Sequence, residues 1–163
     1  MGVERRPCGK VAFMPQHISS KFEGTVGALF SERIAQALAS PGFRAEVLVP
    51  LGVEALLEKR VRQLRAGESR LVGMCLVLGW GQAAGLHIFD SLSCLSVAER
   101  ITVARVLRRF VGLSGCRVMI AECDLVFATA VADTVILFNS SNGTGARASG
   151  PLSAAEGLRA FRT

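Results

Sequence analysis

Apolar and polar positions follow two rhythms along this chain, and the rhythm assigns the elements. Val11 to Met14 is a continuous apolar run ended by Pro15, which predicts a strand, with Gln16 to Ser20 as a polar loop after it. From Val26 onward, Leu29, Phe30, Ile34, Ala37 and Leu38 recur at helical spacing. Thr25 stands where it caps that helix, and Ser40-Pro41-Gly42 ends it. Phe43 to Leu48 and Val53 to Lys59 predict two short helical pieces separated by Pro50 and Gly52, and Val61 to Gly67 a basic loop.

Glu68 to Leu78 reads as a helix, 79–85 as a glycine turn, and Leu86 to Phe89 as a strand ending on Asp90. Ala98 to Val111 carries Val103, Ala104, Val106, Leu107, Phe110 and Val111 on one arc and Arg105, Arg108 and Arg109 on the other, so its basic stripe is expected to face water. Val118 to Ala121 predicts a strand, Asp124 caps a helix reaching Ala132, and Thr134 to Phe138 predicts another strand. Ser140 to Gly150 is a polar loop before a closing helix from Ser153 to Phe161. Strands that are apolar throughout and alternate with helices predict an α/β fold with a mostly parallel sheet covered on both faces.

The length, 163 residues at 50% hydrophobic, suits one compact domain. Residues 1–10 read as a polar tail and 11–163 as the domain, with a helical module over about 25–80 and a remainder over 85–163. The five scattered cysteines show no C-x-x-C spacing, so neither a disulfide framework nor a zinc site is expected, and a reduced cytoplasmic setting fits. The first ten residues lack the apolar core of a secretory signal. Leu71 to Phe89 is free of formal charge, but its glycines, Gln82 and His87 read as a buried helix, turn and strand rather than a membrane span. His87 is expected to be a core histidine. The net charge of +6 is mostly arginine. It has two readings: attraction to RNA or phosphates, or compositional bias.

Three kinds of segment point to a family. Met14-Pro15-Gln16-His17-Ile18-Ser19, the block Glu122-Cys123-Asp124-Leu125-Val126-Phe127 before Ala132-Asp133, and Pro151, Ser153, Gly157 and Phe161 near the end occur in the order and types of one known group. Over Val11 to Phe161 the chain resembles the second nucleotide-binding domain of the RNase L inhibitor family, ABC subfamily E, the ribosome-recycling ATPases. The match covers the later two-thirds of one such domain. It implies an incomplete P-loop NTPase (ABC ATPase-like) three-layer fold with a small helical subdomain, ATP and magnesium as cofactors, and the ribosome or ribosomal RNA as partner.

The resemblance also assigns roles, and most of the positions depart from them. Gln16 matches a magnesium-sensing glutamine, with an ordinary surface-loop residue as the competing reading. Asp90 matches the aspartate that helps hold magnesium at a strand end. Gly67 and Glu68 match the nucleotide-contacting signature loop, although Arg65 and Ala66 replace a serine and a glycine. Ser91 stands where active relatives carry a glutamate base, and Cys123 where they carry a switch histidine. A serine without an activating partner is no base near neutral pH, and losing such a base costs about a hundredfold to ten-thousandfold. Glu122 and Asp124 flank Cys123 and oppose a low thiol pKa, which argues against a nucleophilic role.

No G-x-x-x-x-G-K-[ST] motif occurs; Gly9-Lys10-Val11 is a faint echo, with Glu4 where the first glycine belongs. Bound ATP is therefore expected to be weak or absent, and the family's iron–sulfur region has no counterpart in this chain. The absent front half supplies a strand and helix in relatives, so apolar strands are expected to lie bare, inviting a polypeptide that replaces that half. Three functions follow: a degenerate ribosome-recycling ATPase with impaired hydrolysis; a non-enzymatic RNA or ribosome module using Arg60, Arg62, Arg65, Arg105, Arg108 and Arg109; or a decayed gene fragment. No membrane role is expected.

Overall fold

The structure, a computed structural model, describes residues 10–15, 21–80, 85–140 and 146–161. They form two compact units, 1–122 and 123–163. The first holds β1 (Val11–Met14), α1 (Val26–Arg33), α2 (Ala35–Leu38), α3 (Pro41–Phe43), α4 (Ala66–Trp80), β2 (Leu86–Asp90), α5 (Val97–Ser114) and β3 (Arg117–Ala121). A π-helical turn over Arg44–Leu48 and 3-10 turns over Val53–Leu56 and Val61–Gln63 link α3 to α4. The two helical pieces expected between Phe43 and Lys59 are thus present as a wide π-helical turn and a tight 3-10 turn, the second ending at Leu56.

β1, β2 and β3 make a parallel sheet in that order, with Ala12 beside His87, Met14 beside Phe89, and Phe89 beside Ile120. Side chains alternate across the sheet, so these residues share one face. On it Ala12, Met14, His87 and Phe89 are buried. α4 packs against β1 and β2, and α5 against β3. His87 meets Phe110 of α5 edge to face at 5.5 Å, so it is a core histidine as its strand pattern predicts. On the opposite face Val11, Phe13 and Met119 lie exposed and Leu86 and Ile88 half-buried.

α5 follows its sequence pattern closely. Ser96 and Glu99 form a reciprocal capping box, the arc from Val103 to Phe110 is buried, and Gly115 at φ +66° terminates the helix. Other elements depart from expectation. The single helix expected from Val26 to Leu38 breaks at Ile34, where φ is −134°. Ile34 is buried against α4 at Gly79, where a Cβ would lie 3.0 Å from Ile34 Cδ1, so tertiary packing overrides the periodicity. Ser40 ends α2 but also caps α3 by accepting a hydrogen bond from Phe43 N–H at 3.4 Å. The expected loop up to Gly67 is shorter than predicted, because α4 starts at Ala66.

In the second unit α6 (Leu125–Val131) is capped by Asp124, as expected, through a 3.1 Å bond from Phe127 N–H. The strand expected over Thr134 to Phe138 is instead two strands, β4 (Thr134–Val135) and β5 (Phe138–Ser140). β4 pairs with β7 (Leu152–Ser153) and β5 with β6 (Ala146–Ala148), both antiparallel, so the expected polar loop contains a strand. The chain changes partner around Leu137, which exchanges hydrogen bonds with Ser149. α7 (Ala154–Phe161) closes the unit, with Ser153 and Glu156 bonded reciprocally at its start.

Candidate functional site

The candidate site is the turn at the carboxyl ends of β2 and β3, where ligands collect in open α/β sheets. β2 ends on Asp90, which is half-buried. The next residue, Ser91, adopts φ +57°, a left-handed step that strains any residue with a Cβ. The step is held from three sides. Ser91 N–H donates to Ala121 O at 3.0 Å, extending the ladder by one bond. Leu92 N–H donates to Glu122 Oε2 at 3.1 Å, and the Leu92 side chain is fully buried. The Ser91 hydroxyl donates to Ser93 Oγ at 2.8 Å and accepts from Ser93 N–H at 3.2 Å.

Glu122, which the sequence offers as part of the family-like block and as a charge beside Cys123, also braces the turn after β2, a contact that its place in the chain does not announce. Its signal lies in the pairing: a carboxylate one position past the end of a strand that pairs with β2 can reach the turn after β2. Cys123 is exposed and opens the second unit. Gln16 and His17 lie outside the described residues.

The segment after the turn runs to the start of α4. Cys94 Sγ lies 3.9 Å from Ala66 O, and a Cβ on Gly67 would stand 3.7 Å from Cys94 O and 3.6 Å from Glu99 Oε1. The fold therefore brings Gly67 and Glu99 together. At the first turn of α4, Glu68 accepts from Lys59 Nζ at 2.6 Å, from Arg65 N–H at 2.8 Å and from the Arg65 guanidinium at 3.0 Å. The Lys59 bond first, then the Arg65 amide, holds the Glu68 carboxyl down to about 2. Hydrogen bonds from Ser96 lower Glu99 as well. Two ionised carboxylates thus occupy the positive end of α4, where a phosphate would otherwise be drawn.

Several of the arginines are already engaged. Arg65 is bound to Glu68, and Arg109 is paired with Glu46, its Nη2 donating to Glu46 Oε1 at 2.7 Å. Arg100 donates to the carbonyls of Ser93 and Leu95 at 2.8 and 3.1 Å, which braces the turn. Arg70, within the helix expected from Glu68, is buried and donates to Pro15 O at 2.7 Å, tying α4 to the end of β1. Arg60, Arg62, Arg105 and Arg108 lie exposed, the last two on the water side of α5 as predicted. Among the described residues no three His, Cys, Asp or Glu side chains converge as a metal site, and no helix is long and apolar enough to cross a membrane.

No family model matches the chain. Translation initiation factor RLI1 of Chaetomium thermophilum is 35% identical over 161 residues, which is 98% of this chain and 26% of that protein. ABC transporter E family member 1 of Arabidopsis thaliana is 34% identical over 152 residues, 93% of this chain and 25% of that protein. A solved complex of archaeal ribosomal stalk protein aP1 with the ribosome recycling factor aABCE1 superposes with a TM-score of 0.86 at 30% identity, covering 99% of this chain and 31% of that one. The chain spans about a quarter of the length of the curated relatives it matches. In sequence and in fold this chain is a homologue of the ABC transporter E family, and its α/β architecture is that of an ABC-type P-loop ATPase domain.

Proposed function

We propose that this chain is a degenerate, partial nucleotide-binding domain that keeps a ribosome-associated role in translation while ATP hydrolysis is impaired or lost. The observation that carries the reading is the turn after β2. The position that follows Asp90 offers a hydroxyl engaged with Ser93, and no carboxylate base. The carboxylates described around the turn favour that reading over a tightly held magnesium nucleotide. One half-buried aspartate stands at the strand end, Glu122 is committed to the Leu92 amide, and Glu99 lies against Gly67 at the α4 terminus. Kinship to initiation factor RLI1 and to a factor solved with a ribosomal stalk protein supports the translational setting.

The test is hydrolysis by the purified chain. The expected result is no ATP turnover above background, alone or with ribosomes. Turnover matching intact family members and abolished by Asp90→Asn overturns the reading.

A second reading, a non-enzymatic basic RNA module, is supported by the exposure of Arg60, Arg62, Arg105 and Arg108 on a chain of charge +6. The engagement of Arg65 and Arg109 weakens it. RNA affinity that falls steeply with salt and is lost on charge reversal at Arg60, Arg62 and Arg105 supports it; salt-independent binding removes it.

A further inference from the structure

A groove runs along α5 where that helix packs against the π-helical turn Arg44–Leu48 and the residues just after it. On the α5 side it is lined by Ala98, Thr102, Arg105 and Arg109, which recur at helical spacing and so share one stripe of the helix. It consists of two hollows, and Pro50 lines both, so they adjoin there. Their volumes are about 210 and 250 Å³, below the range of roughly 300–1,000 Å³ that holds a drug-sized ligand. Each hollow suits one side chain rather than a nucleotide.

The two hollows differ in chemistry. The first has Leu51 and Leu71, both buried, in its lining, and its polar groups are already bonded. The Thr102 hydroxyl donates to Ala98 O at 3.1 Å, and Glu99 accepts from the Ser96 amide and hydroxyl, each at 2.7 Å. This end offers apolar contact beside one carboxylate that repels acid. The second hollow holds Arg105, which is exposed, and Arg109. Glu46 engages two donors of the Arg109 guanidinium and orients it, leaving the remaining donors of the fork. One carboxylate against two guanidiniums leaves this end positive.

The spacing of the hollows selects the conformation of an occupant. Ala98 to Arg105 and Thr102 to Arg109 are each two turns of helix, about 10 Å along α5. A polyproline II segment has three residues per turn and rises about 3.1 Å per residue, so its side chains at i and i+3 share a face about 9 Å apart. A β-strand puts side chains of one face about 7 or 13 Å apart and misses the span. We infer that this groove binds a partner peptide in polyproline II conformation that carries an apolar side chain three residues from an acidic one. The apolar side chain enters the Leu51 and Leu71 hollow, and the carboxylate meets Arg105 and Arg109. An RNA strand presents phosphate at every step and nothing apolar for the first hollow, so it fits half of the groove. The inference does not rest on the nucleotide reading: ATP turnover would overturn that reading and leave this one standing.

The experiment titrates the whole chain with capped peptides containing Leu-Pro-Pro-Asp or the reverse order Asp-Pro-Pro-Leu, read by amide chemical shifts. Matched peptides carry asparagine in place of the aspartate. The expected result is saturable binding by at least one order that shifts the amides of Ala98, Thr102, Val106 and Arg109, and that weakens about tenfold with asparagine. Arg105→Gln should weaken the aspartate peptide about fivefold or more and leave the asparagine peptide as it was. Ala98→Leu, which fills the first hollow, should weaken both. Both positions are exposed, so the melting temperature should stay in place. Arg33→Gln removes the same charge outside the groove and should leave binding unchanged. Absence of binding by both orders, equal affinity for aspartate and asparagine peptides, or equal losses from Arg33→Gln and Arg105→Gln overturns the inference. A poly(U) oligonucleotide that binds more tightly than the peptides, depends on Arg105 and ignores Ala98→Leu overturns it in favour of RNA.

Discussion

The two faces of the β1–β2–β3 sheet are built from the same strands and similar residues, yet one is interior and the other is surface. On the covered face Ala12, Met14, His87 and Phe89 are almost wholly removed from water; on the other, their neighbours Val11, Phe13 and Met119 stand half in solvent. Composition does not set the difference, since both faces are apolar. The helices do: α4 and α5 pack on one side only, α4 tied to the end of β1 by Arg70 and α5 meeting His87 through Phe110. An apolar strand residue thus becomes core only when a helix is held above it. The second face has the residues for a layer whose other half the described chain does not supply.

Phe89→Ala tests that comparison most severely. Phe89 is fully buried in the middle strand, so its loss should cost about 3–5 kcal/mol, read as a fall in the denaturation midpoint. A cost near zero would mean that the covered face is not the core of this unit.

The sequence announces the covered face well and the site poorly. β1, β2, β3 and α5 are legible because their apolar runs, capping residues and flanking prolines or glycines are local signals. Asp90 is legible for the same reason, as an acid closing an apolar strand. Glu122, Arg70 and Ile34 are not, because each acts at a distance along the chain: Glu122 on Leu92, Arg70 on Pro15, Ile34 on Gly79. The strand change between Val135 and Phe138 is hidden likewise, since an apolar run does not say which partner it will pair with.

Glu68 ties the start of α4 to Lys59 and Arg65 in the segment before it, so acid should loosen that end of the helix before it disturbs the strands. Its carboxyl is held down to about 2 by Lys59 and Arg65. A depressed carboxyl contributes stability that is present above its ordinary value and lost as pH falls toward the folded one. The loss should therefore run from about pH 4.5 down to about pH 2. Glu68→Ala should cost about 1–2 kcal/mol at neutral pH through the lost cap and charged hydrogen bonds, and should flatten that acid slope. An unchanged slope would move the acid sensitivity to another group. Ser96→Ala, which removes the α5 cap, should cost about 1 kcal/mol, and Glu99 should then titrate closer to its ordinary value.

Phe13→Ser is the smallest expected effect on stability and the sharpest probe of the bare face. Phe13 already meets water over 54% of its surface, so the substitution gives up little burial, and a surface change of this kind stays within about 0.5 kcal/mol. It does remove the largest exposed ring from the apolar block, so binding of a hydrophobic dye and self-association at high protein concentration should both fall. A loss of stability approaching that of Phe89→Ala would show that Phe13 is covered in solution. A helix docked within the molecule would then already complete the second layer, and the contrast between the two faces would disappear.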